Sequence, residues 1–175
     1  MYWRPSEHSR KPAAEIEAYE MKTFSARYVH TNLVARDWRR LARFYVEVFG
    51  CVPVPPERDL SGAWLDALTA IEQAHLTGIH LLLPGQPAGG VTLEIFSYGR
   101  MPARPLPGVN EPGFGHIAFL VDDVDAALAA VRAAGGGAVG KVSSAEVAGA
   151  GTIRVVYARD PEGNVIELQT WIGKH

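Results

Sequence analysis

Cysteine is nearly missing from this 175-residue chain, with Cys51 its only example. An internal disulfide is therefore impossible, and neither a four-thiolate zinc site nor an iron–sulfur cluster can be built. Charge of one sign is missing as well. Lys plus Arg number 17 and Asp plus Glu 19, a net charge of -2. That balance offers no basic field to nucleic acid or to an anionic membrane. Gly, Pro or charge interrupts every apolar run well short of the roughly 18 residues that a spanning helix needs. Met1-Tyr2-Trp3-Arg4-Pro5 leads into polar sequence, not into the apolar stretch of a secretory signal. No Gly-Lys-Ser or Gly-Lys-Thr follows the Gly135–Gly137 run or Gly149 and Gly151, and the dinucleotide fingerprint is absent. These absences predict a cytoplasmic protein with no nucleic-acid or membrane partner.

What is present is ordinary for a folded chain: 47% hydrophobic and 21% charged residues. The length suits one domain with a true core. Residues 1–26 read as an N-terminal extension, with a short helix offered by Ala13 to Met21. The domain follows over 27–175. Tyr28 to Val34 alternate as a strand. Asp37 then offers an N-cap to a helix whose apolar stripe is Trp38, Leu41, Tyr45 and Val48, and Gly50 stands where a C-cap glycine belongs. Pro53, Pro55 and Pro56 forbid a long helix, and Gly62 to Ile71 read as a short helix or a loop with strand fragments. Leu76 to Leu83 and Val91 to Tyr98 read as strands. After a Pro- and Gly-rich linker over about 100–113, the opening order returns. Phe114 to Val121 is a strand, Asp122 or Asp123 caps a helix, and Gly135–Gly137 ends it. Val139 to Val142 offer a short strand. Thr152 to Ala158 and Val165 to Trp171 are strands around an Asp160–Asn164 turn.

The order returns because the chain is an internal repeat. His30 and His116 lie 86 residues apart, as do Asp37 and Asp123, and Gly50 and Gly136. Each half ends in a strand carrying a glutamate, Glu94 in module one (about 27–99) and Glu167 in module two (about 114–171). The spacing from His to Glu is 64 residues in the first half and 51 in the second. The extra residues belong to the Pro53–Leu83 region. A glutamate inside an apolar strand is costly unless paired, protonated or metal-bound. His30, Glu94, His116 and Glu167 together suit a divalent first-row metal with open positions for water or substrate.

His30-Thr31-Asn32-Leu33-Val34-Ala35-Arg36-Asp37, with Phe44-Tyr45 and Val48-Phe49-Gly50, resembles the opening of the vicinal oxygen chelate superfamily. Gly115-His116-Ile117-Ala118-Phe119 with Asp122-Asp123 resembles the start of its second module. Asp160-Pro161-Glu162-Gly163-Asn164 with Ile166-Glu167-Leu168 resembles its ending. The superfamily includes glyoxalase I, methylmalonyl-CoA epimerase, extradiol dioxygenases and antibiotic-resistance proteins. The resemblance implies an α+β fold: paired βαβββ modules forming an open, barrel-like mixed sheet around a central cavity. It also implies one divalent ion (Ni, Zn, Co, Mn or Fe) on His30, Glu94, His116 and Glu167. The implied activity is that of a glyoxalase I-like lyase, isomerase or epimerase on a small carbonyl or vicinal-oxygen substrate. Glu167, then Glu94, is the implied base. Two other readings stand beside it: a small-molecule binding or resistance protein, and an Fe(II) dioxygenase using His30, His116 and Glu167. A homodimer is implied too, with the site inside one chain or across two.

Two positions depart from bacterial glyoxalase I, which usually has arginine four residues after the first histidine and asparagine four after the first glutamate. Here those positions are Val34 and Tyr98. Asn32, Tyr98, Arg100 and Arg154 are the candidate substrate contacts. Arg154 and Tyr157 have opposite strand parity, so at most one of them points inward. His80 reads as a satisfied sheet histidine ahead of a pocket residue.

Overall fold

The computed structural model describes residues 24–103 and 105–173. The expected helix over Ala13 to Met21, and most of the expected extension, lie outside them. The architecture is α+β, with two mixed sheets that do not close into a barrel. Module one runs β1 (His30–Val34), α1 (Trp38–Phe49), β2 (Val52–Ser61), α2 (Ala63–Thr69), β3 (His75–Leu82) and β4 (Thr92–Tyr98). Module two runs β5 (Ile117–Leu120), α3 (Val124–Ala133), β6 (Gly137–Ala138), β7 (Ser143–Val147), β8 (Gly151–Arg159) and β9 (Val165–Ile172). The first sheet is ordered β1-β4-β3-β2. The second is ordered β5-β9-β8-β6, with β7 also on β8. In both, the first strand lies parallel to the last and the remaining pairs are antiparallel.

The repeat shows first in the helix caps. Asp37 accepts a hydrogen bond from Arg40 N at 3.0 Å, and Asp123 accepts from Asp125 N and Ala126 N. Each satisfies backbone donors that a helix start leaves free. The glycine match is less uniform. Gly50 is left-handed, with φ of 69°, and closes α1 as expected. Gly136 serves packing instead: a Cβ there would lie 2.4 Å from the Arg159 carbonyl oxygen.

β2 is a strand where the three prolines of the sequence point only to an irregular stretch. It is an edge strand, and its ladder breaks between Val54 and Arg58, where Pro55 and Pro56 sit. Prolines that would break a central strand are tolerated there, because no hydrogen bond is asked of them. The short strand expected over Val139 to Val142 is displaced, with β6 earlier and β7 later.

One face of each sheet packs under its own helix, and the two packed faces share a core. Leu33, Leu93 and Ile95 of the first sheet and Phe119, Ile166 and Leu168 of the second join Leu41 and Tyr45 of α1 and Leu128 and Val131 of α3 in one cluster. Phe49 of α1 stacks on Phe119 of β5 with centroids 3.9 Å apart. Tyr45 of α1 is fully buried and donates to Asp160 Oδ2 at 3.0 Å, across the module boundary. Strand side chains alternate, so the residues between these core positions occupy the opposite faces. The histidines and glutamates lie there. At one end of module one that face is covered by a smaller cluster of Leu65, Ala74, Leu76 and Phe96.

Candidate metal centre

Strand register builds the module-one site. Asn32 of β1 and His80 of β3 are the direct neighbours of Glu94 on β4, and His30 is the neighbour of Thr92 on the same face. His80 Nε2 lies 3.0 Å from Glu94 Oε1, and His30 Nε2 lies 3.6 Å from Glu94 Oε2. Asn32 Nδ2 donates to Glu94 Oε2 at 2.9 Å, which fixes the carboxylate's rotation. Thr92 Oγ1 lies 3.1 Å from His80 Nδ1. Ligand atoms of His30, His80 and Glu94 all fall within 4.8 Å of one another. Two imidazoles and a carboxylate at this spacing suit a divalent first-row ion.

Burial holds His80 below the usual histidine pKa. The Glu94 carboxylate opposes that shift, and the positive charges of Arg58 and His30 add to it. The neutral imidazole is the ligating form.

Module two carries a shorter version. His116 Nε2 lies 3.5 Å from Glu167 Oε2. The cross-strand neighbour of Glu167 is Tyr157, where module one has His80. The Tyr157 ring packs 5.0 Å from the His116 ring. Desolvation raises the phenol's pKa, and the Glu167 charge and a hydrogen bond to its carboxylate raise it further. Among the described residues, the group of three or more donors within 4.8 Å is the module-one trio, so His116 and Glu167 form a separate pair. Both pairs reach the surface through their histidines, for the His30 and His116 side chains are 40% and 36% exposed, while the two glutamates are mostly buried.

The other expected contacts divide. Asn32 stands at the trio, bonded to Glu94. Tyr98 shares the Glu94 face by parity but stands over the Leu76–Phe96 cluster, four residues away along β4. Arg100 is exposed beyond the end of β4. Arg154 does not join Glu167. It has the parity of the core residues Val156 and Ala158, and it pairs with Asp125 of α3 on the helix side. The inward member of that pair is Tyr157. Sequence reasoning ranked His80 as a satisfied sheet residue; its placement opposite Glu94 on the next strand was the signal it lacked. A cleft of about 790 Å³ runs along β1, lined by His30, Asn32 and Arg36 and, from module two, by Phe114, Ile117 and Asn164.

Comparison with known proteins agrees with the fold. The model of the Glyoxalase/Bleomycin resistance protein/Dioxygenase superfamily matches residues 27–168. A Vibrio parahaemolyticus protein named "Probable lactoylglutathione lyase" is 26% identical over 145 residues, which cover 82% of this chain and 90% of that protein. A glyoxalase family protein from Bacillus cereus superposes with a TM-score of 0.74 at 20% identity, over 87% of this chain and 99% of that one. A glyoxalase I mutant from Zea mays gives a TM-score of 0.56 at 23% identity, over 82% of this chain and 44% of that one. At these identities the two structures establish the fold alone.

Proposed function

The chain belongs to the Glyoxalase/Bleomycin resistance protein/Dioxygenase superfamily, and from that premise we propose a divalent-metal-dependent lyase, isomerase or epimerase that removes a proton beside a substrate carbonyl. The observation that carries the reading is the register-equivalent His–Glu pair on each sheet, turned to the face its helix leaves uncovered. The 26% identical relative named as a lactoylglutathione lyase supports the same class.

In this reading His30, Glu94, His116 and Glu167 hold the ion. A bound divalent ion supplies a Lewis acid that polarises the carbonyl and eases loss of the adjacent proton. Glu167 takes that proton, with Glu94 the second candidate. Glu94 is less free to do so, because Asn32 and His80 already hold both its oxygens. Glu167 has one phenol neighbour, and Tyr157 donating to it steadies the carboxylate while a substrate approaches. Glu167 then returns the proton to another carbon for isomerisation, whereas epimerisation needs the second acid, Glu94, to deliver a proton to the opposite face of the same carbon while Glu167 keeps the one it took.

β1 and β5 each end a sheet, and each pair reaches the surface, so we place the working enzyme as a two-fold homodimer; the cytoplasm is its proposed location. The substrate is a small carbonyl or vicinal-oxygen compound. Without arginine at Val34 and asparagine at Tyr98, a glutathione adduct is a poorer fit than a smaller substrate.

Metal analysis of the purified protein, followed by solvent-deuterium exchange, tests this. The panel is 2-oxo aldehyde thiol adducts and 2-substituted acyl thioesters. One divalent ion per site and deuterium beside the carbonyl are expected. No ion after reconstitution, or no exchange across the panel, overturns the proposal. Tight ligand uptake without turnover would favour a binding or resistance protein, and oxygen uptake with a catechol would favour a dioxygenase.

A further inference from the structure

We propose that His80 is a third metal ligand of module one, so that His30, His80 and Glu94 can still hold the divalent ion when His116 and Glu167 are removed. The inference rests on the metal reading above and deepens it.

The trio's donor atoms all lie within 4.8 Å of one another, and the two His–Glu distances are close to the spacing of donors around one ion. First-row divalent ions bind His nitrogen and carboxylate oxygen at about 2.0–2.2 Å, which puts neighbouring donors roughly 3.0–3.5 Å apart. His80 Nε2 lies 3.0 Å from Glu94 Oε1, and His30 Nε2 lies 3.6 Å from Glu94 Oε2. Backbone pairing sets this arrangement, because His80 and Glu94 are direct partners on adjacent antiparallel strands. Such cross-strand neighbours face each other by construction.

The supporting contacts are those a ligand needs. Ligating imidazoles are oriented by a hydrogen bond at the other ring nitrogen, and ligating carboxylates by donors of their own. Thr92 Oγ1 stands 3.1 Å from His80 Nδ1, and this leaves Nε2 facing Glu94. Asn32 serves Glu94 in the same way.

The equivalent position in module two carries Tyr157, in register with Glu167. That sheet offers one imidazole and one carboxylate where module one offers two imidazoles and one carboxylate. The trio is a complete three-donor set with positions left for water, substrate or the module-two pair. The two modules are therefore unequal partners in holding the ion.

The test uses the full-length protein. Co(II) affinity is measured by calorimetry, and pulsed EPR of the Cu(II)-loaded protein counts coordinated imidazoles. The double variant His116→Ala/Glu167→Gln is expected to keep one ion and two imidazoles on module one. His80→Ala in that background is expected to lower Co(II) affinity by about 100-fold or more, beyond the 10–100-fold of an outer-shell loss, and to leave one imidazole. His80→Gly with added imidazole should restore both readings, which a merely structural role would not. Thermal melts of the metal-free variants check folding. An unchanged imidazole count in His80→Ala, or a double variant that binds no ion while the wild type binds one, overturns the assignment and leaves the metal reading standing. A wild type that binds no divalent ion ends both.

Discussion

Set side by side, the two modules agree in their frame and differ in what surrounds the glutamate. His30 matches His116, Glu94 matches Glu167, and Asp37 matches Asp123 as a helix cap. Around Glu94 stand Asn32 and His80; around Glu167 the same register positions hold Ala118 and Tyr157. One carboxylate is held by two nitrogen donors and the other by one phenol. A repeat of this kind keeps what builds the sheet and varies what the sheet presents. On the proposed reading the difference separates holding from reacting, with module one gripping the ion and module two leaving its carboxylate freer. The sharpest way to break that comparison is to change both glutamates. Glu167→Gln should lower solvent-deuterium exchange by about 10²–10⁴, the usual worth of a positioned acid or base, while metal content stays near that of the wild type. Glu94→Gln should lose the ion itself. Equal metal loss in both variants, read by elemental analysis, would make the modules equivalent.

Two residues beyond each glutamate along the last strand the modules diverge again. Gly78 faces Phe96 in module one, and Val155 faces Gln169 in module two. The glycine is there for space. A Cβ at Gly78 would lie 2.1 Å from the Ile95 carbonyl oxygen and 2.2 Å from a Phe96 ring carbon. Backbone cannot yield as a flexible side chain does, so the β3–β4 ladder itself must shift. Gly78→Ala should cost about 3 kcal/mol, the upper end of ordinary overpacking, and should disturb the His80–Glu94 register two residues away. Val155→Ala, at a half-buried position, should cost about 1 kcal/mol. Denaturant unfolding measures both, and a Gly78→Ala cost near that of Val155→Ala would show that the sheet absorbs the added carbon.

Much of this frame was legible in the residues. The offset of 86 located the strand–helix opening of both halves, and the aspartates marked their caps. His30 with Glu94 and His116 with Glu167 were readable as pairs, because a half-buried glutamate in an apolar strand calls for a partner. What stayed hidden depends on pairing across strands that sequence does not specify. β2 reads as a proline-rich irregularity until its place at the sheet edge is known. α2, a seven-residue helix without a side-chain cap, falls where the residues offer a short helix or a loop but do not choose between them. His80 lies 14 residues before Glu94 in the chain yet is its direct neighbour in the ladder. Parity alone could say that Arg154 and Tyr157 face opposite ways, but the choice between them needed the position of α3.

The joint between modules gives a smaller effect with a pH signature. Tyr45 and Asn164 both donate to Asp160 Oδ2, and the Glu162 and Asn164 amides donate to Oδ1. Burial nevertheless pushes the Asp160 carboxyl above its ordinary 3.8, and those hydrogen bonds only limit the rise. A carboxyl raised on folding binds more protons in the folded state between its ordinary and its raised pKa. Its contribution to stability is therefore largest below 3.8 and is lost as pH climbs through the raised value. Tyr45→Phe removes one donor to the ionised form. The expected cost is about 1.5–2 kcal/mol near pH 7, the range of a hydrogen bond to a charged group, and smaller once Asp160 is protonated. Unfolding at several pH values measures it, and a cost independent of pH would mean the bond matters as packing between the modules.

The smallest expected effect bears on the same comparison from its helix side. Arg154 pairs with Asp125 at the protein surface, and both side chains are substantially exposed. An exposed ion pair between a strand and its covering helix gains little, because water screens the charges and ordering two long side chains opposes the attraction. Arg154→Ala should therefore cost less than about 1 kcal/mol, and less again at high salt, where screening lengths shrink. Turnover and metal content should not move, since Arg154 has the parity of the core residues on β8 and Glu167 faces the opposite side. Tyr157→Phe, one strand face away, removes the hydroxyl that bonds Glu167 and should lower turnover with little change in stability. If Arg154→Ala instead reduced turnover as much as Tyr157→Phe, the helix-covered face of module two would have to reach the substrate, and the division between a packed face and a reacting face would fail for that sheet.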